Sequence, residues 1–485
     1  FSPFPDEYKN QMGYVAIRHY NVSDEYWLCL DDFYVGNPDV VPQWNYVYGV
    51  EQPSILLEGL TPETIYEMQV QGVNGGGAFI LVYIACIIVM GIPVILSEFV
   101  IGRSTHSNMK AALMKLSPGK RYYLFTYLCI LGSFIVIGFY SVVCGWVIEY
   151  LYQSALGNLN NHTPQEYETM FTSLISSPWR CVGWTVLFLV LNFLVMSRGI
   201  EKGIERVASI MMPLLFLILI IFCVNSLLLP GAGKGLNFLF YPDFSQLTMR
   251  GVLDAMGQAF LSLSIGISCL VTYSSYFKDD TSLAKDATTV AVLDTLVAIL
   301  SGVMIFPAVF SFGVEPTAGP RLIFEVLPGI FQQMAGGYIW ALLFFLLVFF
   351  ASLTSTISLS EIPITFFIEE HKMSRPRAIL WTALFTFALA VLAALSFNVL
   401  DDIKLWGKNI FDMMDYAASN VFMLLGGLFT AVYVGWILDR RVIHDQITNG
   451  GRLKMTAVEP YLIFCLRYVA PVSIIFIFLY LTGVI

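Results

Sequence analysis

Charge is scarce in this sequence. Only 13% of its 485 residues are Asp, Glu, Lys or Arg, whereas 57% are hydrophobic. That balance, with a mean hydropathy of +0.71, excludes an ordinary soluble composition and points to a chain with many membrane passages. Cations are scarcer than acids, for a net charge of −9, so a nucleic-acid partner is not expected. Histidine is sparse and scattered, at His19, His106, His162, His371 and His444, which leaves no Ser-His-Asp set or metal-ligand spacing and no enzyme constellation. The eight cysteines include no C-x-x-C pair and mostly sit in apolar runs, as Cys86, Cys129, Cys144, Cys223, Cys269 and Cys465 do, so they read as small core or lipid-facing residues. No signal peptide is visible and the chain opens on Phe1, which reads as a fragment or a processed product.

What is present changes abruptly at Gly72–Gly77. Residues 1–73 hold the basic residues Lys9 and Arg18 against eleven acids and therefore the whole net charge; the remainder is neutral. This first part alternates apolar and polar residues between turn signals, the pattern of short strands. The stretch from Leu57 to Val70 resembles the later strands of a fibronectin type III domain, with Tyr66 at the position of the tyrosine that closes a sandwich corner. Residues 1–73 are too few for a full sandwich of about 100 residues, so a partial extracytoplasmic β-rich segment is expected.

Beyond Gly75, apolar runs long enough to cross a bilayer recur, each needing roughly 20 residues. Ten spans are predicted, at about 76–102, 122–152, 181–197, 204–228, 250–277, 287–312, 337–369, 376–398, 406–436 and 457–484. Basic residues gather in every second connection: Arg103 to Arg121, Arg198 to Arg206, Lys278 and Lys285, His371 to Arg377, and Arg440 to Lys454. The positive-inside rule puts those loops in the cytoplasm, and residues 1–73 and the C-terminus outside.

Polar groups within spans are costly and mark candidate sites. Glu98, after Gly91-Ile-Pro93, is either a helix-end acid reaching the headgroups or an acid held by backbone amides inside the bundle. Gln258, Ser262, Ser264, Gly266 and Ser268 form a small polar cluster in the fifth span, which suits either close helix packing or a discontinuous helix whose freed backbone faces a ligand. Ala351, Thr354, Ser355, Thr356 and Ser358 bring hydroxyls and carbonyls together in the seventh, either for packing or for a hard cation such as sodium. Asp294 is an acid inside the sixth.

With these features in order, residues 74–485 resemble the neurotransmitter:sodium symporter family in its bacterial branch. The resemblance rests on Asn74-Gly-Gly-Gly-Ala-Phe79, Glu98-Phe-Val-Ile-Gly-Arg103, Gly199-Ile-Glu-Lys-Gly-Ile-Glu-Arg206, Gly235 to Asp243, Thr272-Tyr-Ser-Ser-Tyr276, Leu353-Thr-Ser355 and Asn409 to Tyr416. It implies an all-α polytopic membrane protein with the LeuT-type inverted-repeat fold and a central site. It implies one sodium site with the Ala351 carbonyl, Thr354 and Ser355, and another with Ser262 and Asp294, whose charge could stand where animal relatives employ chloride. Val136, Tyr140, Leu261, Ser262, Ser264, Ile267, Ser355 and Leu359 would line a substrate site, Tyr140 meeting a carboxylate and the aliphatic residues favouring a hydrophobic amino acid. Asp415 matches an outer gate, Tyr276 and Glu369 an inner one, with Glu98 in a supporting role.

One departure stands out. Family members precede the Asn-Gly-Gly-Gly-Ala-Phe motif with a broken helix, and Tyr66 to Val73 is not a membrane span. That helix would supply half of each sodium site, much of the substrate grip and the arginine that pairs with Asp415. A chimera joined at Asn74–Gly77, where fibronectin-like and transporter patterns overlap, is the expectation, with impaired function. The leading reading is a sodium-coupled amino-acid symporter of a bacterial cytoplasmic membrane, here truncated or chimeric. A membrane-anchored adhesion protein and a proton-driven or ion-independent transporter are the alternatives.

Overall fold

The computed structural model describes residues 76–160, 162–199, 206–245, 247–312, 322–334, 336–454 and 458–482. The expected strands before Asn74, Tyr66 and the junction residues Asn74 and Gly75 lie outside the described residues. Within the described part the chain is helical, and β pairing is limited there to the isolated bridges Gly76–Pro242 and Leu405–Lys408.

Nine helices among the described residues are long and apolar enough to cross a membrane. They are α1 Gly77–Thr105, α2 Tyr122–Ala155, α3 Pro178–Ser197, α4 Arg206–Leu227, α5 Leu283–Ser311, α6 Gly337–His371, α7 Arg375–Leu395, α8 Ile410–Ile437 and α9 Val458–Leu481. Their form follows from the solvent they need: in hydrocarbon every backbone N–H and C=O must be satisfied within the segment. Apolar residues all round each helix then serve both lipid and neighbours. Leu131, Val190, Leu217 and Phe476 are exposed, whereas Ile95, Phe188 and Phe345 are buried.

The span expected at 250–277 is different. It is two helices, Met249–Ser262 and Cys269–Ser274, separated by residues 263–268. Ser264, Gly266 and Ser268 in that break have φ of 51°, 96° and 60°, in the left-handed region that ends helices. A Cβ on Gly266 would collide with the Met423 carbonyl of α8, and one on Gly426 would collide with the Gly266 carbonyl. Two glycines thus let the unwound strand lie directly on α8.

Helices α2 and α6 form the most extensive helix pair, and α3 and α7 pack against α2 as well. One buried core joins α1, Met249–Ser262, α8 and α9 through residues such as Phe99, Phe260, Leu424 and Ile474. A second is built on aromatics, where Trp146 meets Phe171, Phe324, Phe397 and Phe411 with centroids 5.2–5.9 Å apart. The described cysteines are free: Cys86 is half-buried and Cys129, Cys144, Cys181, Cys223, Cys269 and Cys465 are buried.

Candidate functional site

The break between Ser262 and Cys269 brings together several of the sequence-predicted residues. On one side of it the Ser262 hydroxyl donates to Asp294 Oδ2 at 2.7 Å. The Tyr83 hydroxyl of α1 donates to the same oxygen at 3.3 Å. Three oxygens from three segments therefore converge where the first half-helix ends. Asp294 is half-buried in an apolar span, a position that costs about 2.5–3.5 kcal/mol for a lone charge. Two hydroxyl donors offset part of that, and a hard cation would complete it. The sequence reading missed Tyr83; its signal was a tyrosine one helical face from the glycine motif, too weak to single out alone.

The second set lies on α6. Thr354 Oγ1 donates to the Ala351 carbonyl at 2.9 Å and to the Phe350 carbonyl at 3.0 Å. Ser355 Oγ donates to the Ala351 carbonyl at 3.0 Å. Spacing of three and four residues stacks these groups on one helical face, so the three oxygens form one patch. Hydroxyls bonded to their own helix in this way can rotate and present a lone pair to a cation. Tyr273 links the patch to the second half-helix by donating to Ser358 Oγ at 3.2 Å. Both oxygen sets have the donor chemistry that suits sodium.

Glu98 lies inside the bundle, fully buried, and its Oε1 accepts the Gly266 amide at 2.8 Å. Its other oxygen, Oε2, is buried with no hydrogen-bond partner among the described residues. The carboxylate thus reads the unwound backbone directly. Ser274 Oγ donates to the Glu98 carbonyl at 3.4 Å, tying the second half-helix to the same turn of α1.

Of the expected pocket residues, Ile267 and Leu359 share a small buried apolar cluster with Ile137, Cys269, Ile362 and Met423, and Val136 packs against it. Tyr140 lies one turn along α2, half-buried against the neighbouring cluster formed by α2, α3, α4, α6 and α7. Ser264 is exposed within the break. The side chain of Leu261 lies outside the described residues.

The two ends of the bundle differ from the expected gates in detail. Tyr276 and Glu369 are not bonded to each other. Glu369 Oε2 accepts from the Asn108 amide at 2.8 Å and from Asn108 Nδ2 at 2.7 Å. Tyr276 instead donates to Glu361 Oε1 at 3.3 Å and is bonded to Thr365 at 3.1 Å. Glu361, 1% exposed, is held by Arg375 through two parallel bonds of 2.8 Å. Neither member of that pair was singled out from sequence, although Glu361 is an acid in an apolar span like Glu98 and Asp294. Its partner on the next helix is a tertiary fact. Nearby, Lys110 Nζ pairs with Glu370 at 2.7 Å, and this bond raises the Lys110 pKa. At the opposite end Asp415 is exposed, and Ser419 donates to it at 3.3 Å.

Comparison with known proteins agrees over nearly all of the described chain. The model of the sodium:neurotransmitter symporter family matches residues 69–170 and 179–483. A sodium-dependent transporter of Bacillus subtilis is 36% identical over 416 residues, 86% of this chain and 92% of the relative. A sodium-dependent transporter of Haemophilus influenzae is 38% identical over 378 residues, covering 76% of this chain and 83% of the relative. The crystal structure of MhsT in complex with L-phenylalanine is similar with a TM-score of 0.78 and 38% identity, covering 86% of this chain and 94% of that one.

Proposed function

The chain belongs to the sodium:neurotransmitter symporter family, and from that membership we propose that it couples sodium entry to the uptake of a hydrophobic amino acid at the broken helix. Membership makes it a multi-pass membrane transporter of sodium-dependent type; the substrate class and the ligand roles are our reading. The observation that carries it is the meeting of Ser262, Asp294 and Tyr83 at the break, beside the apolar cluster of Ile267, Leu359 and Val136.

In this reading Ser262 and Asp294 bind one sodium ion, and the Ala351 carbonyl with Thr354 and Ser355 binds a second. Asp294 brings fixed negative charge, so this cation needs no added anion for local neutrality. The unwound backbone at 263–268, kept in place by Glu98, offers unsatisfied amides and carbonyls to the amino and carboxyl groups of the substrate. Tyr140 meets the carboxylate, and the aliphatic residues accept the side chain. That MhsT was crystallised with L-phenylalanine supports an apolar side chain here by analogy. Asp415 serves the outer gate. At the inner end Tyr276 and Glu369 act together with the Glu361–Arg375 pair.

We further propose that the reading is of a cytoplasmic-membrane protein with its basic loops inside. Its N-terminal junction at Asn74–Gly77 joins a fibronectin-like segment to the transporter. Sequencing single DNA molecules across the junction tests this, and an unbroken native locus removes an assembly origin.

Uptake of labelled leucine and phenylalanine by the reconstituted full chain tests the transport reading. A sodium gradient should drive accumulation, and potassium or choline in its place should not. Accumulation driven equally well by a pH gradient alone favours proton coupling through Asp294. No uptake with any ion leaves an impaired carrier or an adhesive role for residues 1–73.

A further inference from the structure

Away from the transport site, one intramembrane cation has no carboxylate. Arg467 lies within α9, and among the described residues no acidic side chain pairs with it. Its Nε donates to the Gly435 carbonyl of α8 at 2.5 Å. Its terminal nitrogens have no acceptor among the described residues. The guanidinium carbon stands 5.3 Å from the centre of the Trp436 ring, and the Trp436 indole donates back to the Arg467 carbonyl at 3.3 Å.

The local backbone explains the arrangement. Both helices carry a π turn here, at Tyr433–Ile437 and at Cys465–Val469. Each such turn frees backbone carbonyls from the i−4 ladder, and the two turns face and cap one another. The arginine is thereby held on the surface between α8 and α9, where Trp436, Phe464 and Tyr468 are each more than half exposed. Trp436 and Tyr468 meet edge to face at 5.9 Å.

Level in the membrane follows from the same residues. Trp436 is the penultimate residue of α8, and Arg467, packed on it, is level with that end of α8, where aromatic residues anchor helices. Hydrocarbon cannot accept the free N–H groups. Of the acceptors at that level outside the protein, a phospholipid phosphate is the one that a guanidinium fork matches with two charge-assisted bonds. Arg440 and Arg441 are exposed four and five residues beyond Trp436 and extend positive charge toward the headgroup layer.

We propose that the surface between α8 and α9 is a binding site for one anionic phospholipid, its phosphate on Arg467 and its upper acyl chain against Trp436 and Tyr468. Dioleoylphosphatidylglycerol and dioleoylphosphatidylcholine are titrated separately onto the detergent-purified full chain and counted by native mass spectrometry. The wild-type chain should bind one phosphatidylglycerol in preference to phosphatidylcholine. Arg467→Gln should cut that preference about fivefold, the loss expected for one basic residue near a charged headgroup. Arg467→Lys should keep part of it. Equal preference in the wild-type chain and Arg467→Gln overturns the proposal, and so does displacement of the lipid by millimolar inorganic phosphate, which would make the site a plain phosphate site. If Arg467→Gln does not fold, a diazirine-bearing phosphatidylglycerol is crosslinked to the wild-type chain instead. Label within residues 433–441 or 461–468 supports the lipid site, and label confined elsewhere overturns it.

Discussion

Asp294 and Glu361 are both acids in apolar spans, but their surroundings give them different work. Asp294 has only hydroxyl donors among the described residues, so no cationic side chain there neutralises its charge. Asp294→Asn keeps the shape and the hydrogen bonds but removes the charge. Sodium-driven uptake should fall at least tenfold, with the sodium concentration for half-maximal uptake shifted upward, as flux measured against sodium concentration would reveal. Glu361 is already neutralised by the Arg375 fork. Arg375→Gln strands a buried carboxylate and should cost about 3–5 kcal/mol of stability. The double change Glu361→Gln with Arg375→Gln should restore much of that loss in thermal unfolding. If the double variant is no better than the single one, the pair is not a coupled unit.

At the scale of elements, the broken helix is where backbone freedom meets function. Gly266 combines a φ of 96° with contact against α8, so an added methyl has nowhere to go. Gly266→Ala should abolish uptake and lower the unfolding temperature. Gly183 in α3 has open space around the same methyl position, and Gly183→Ala should be neutral or stabilising by about 0.5–1 kcal/mol. A second inter-element link involves the short helix Arg440–Thr448, where His444 Nδ1 meets Glu459 at 2.7 Å. That hydrogen bond raises the His444 pKa. The link therefore contributes fully below the unfolded value near 6.5 and is lost as pH rises through the folded value. A histidine NMR titration should find His444 titrating above a free histidine, and His444→Gln should remove the matching part of the pH dependence of unfolding.

For the whole molecule, the alternation of basic loops predicts a definite orientation. Glu168→Cys and Lys120→Cys introduce thiols at exposed positions of successive connections, while the described native cysteines are buried or half-buried. In right-side-out vesicles, with Cys29 replaced by serine, an impermeant thiol reagent should label the first and spare the second. Reversed labelling would invert the topology. Much of this architecture was legible before any coordinates. Spans read out well because a long apolar run has almost no alternative to a helix in lipid. The serines and glycine from Ser262 to Ser268 hinted at a discontinuity, but residue type left the packing helix open beside the broken one. The choice depends on Met423 and Gly426, some 160 residues away, against which the strand lies.

The amino-acid order alone determined the membrane class, the rough limits of most of the long apolar helices, the family motifs and the acids that required partners. These follow from local solvation and from short-range spacing, which the chain carries in one dimension. Only the tertiary structure decided where the fifth passage unwinds, that Tyr83 joins Ser262 and Asp294, that Arg375 neutralises Glu361 while Tyr276 leaves Glu369 to Asn108, and that Arg467 has a carbonyl rather than a carboxylate. Each of those outcomes is a pairing between segments far apart in sequence or on different helices. Hydrogen-bond partners are chosen by distance and direction in space, which residue type and spacing do not encode.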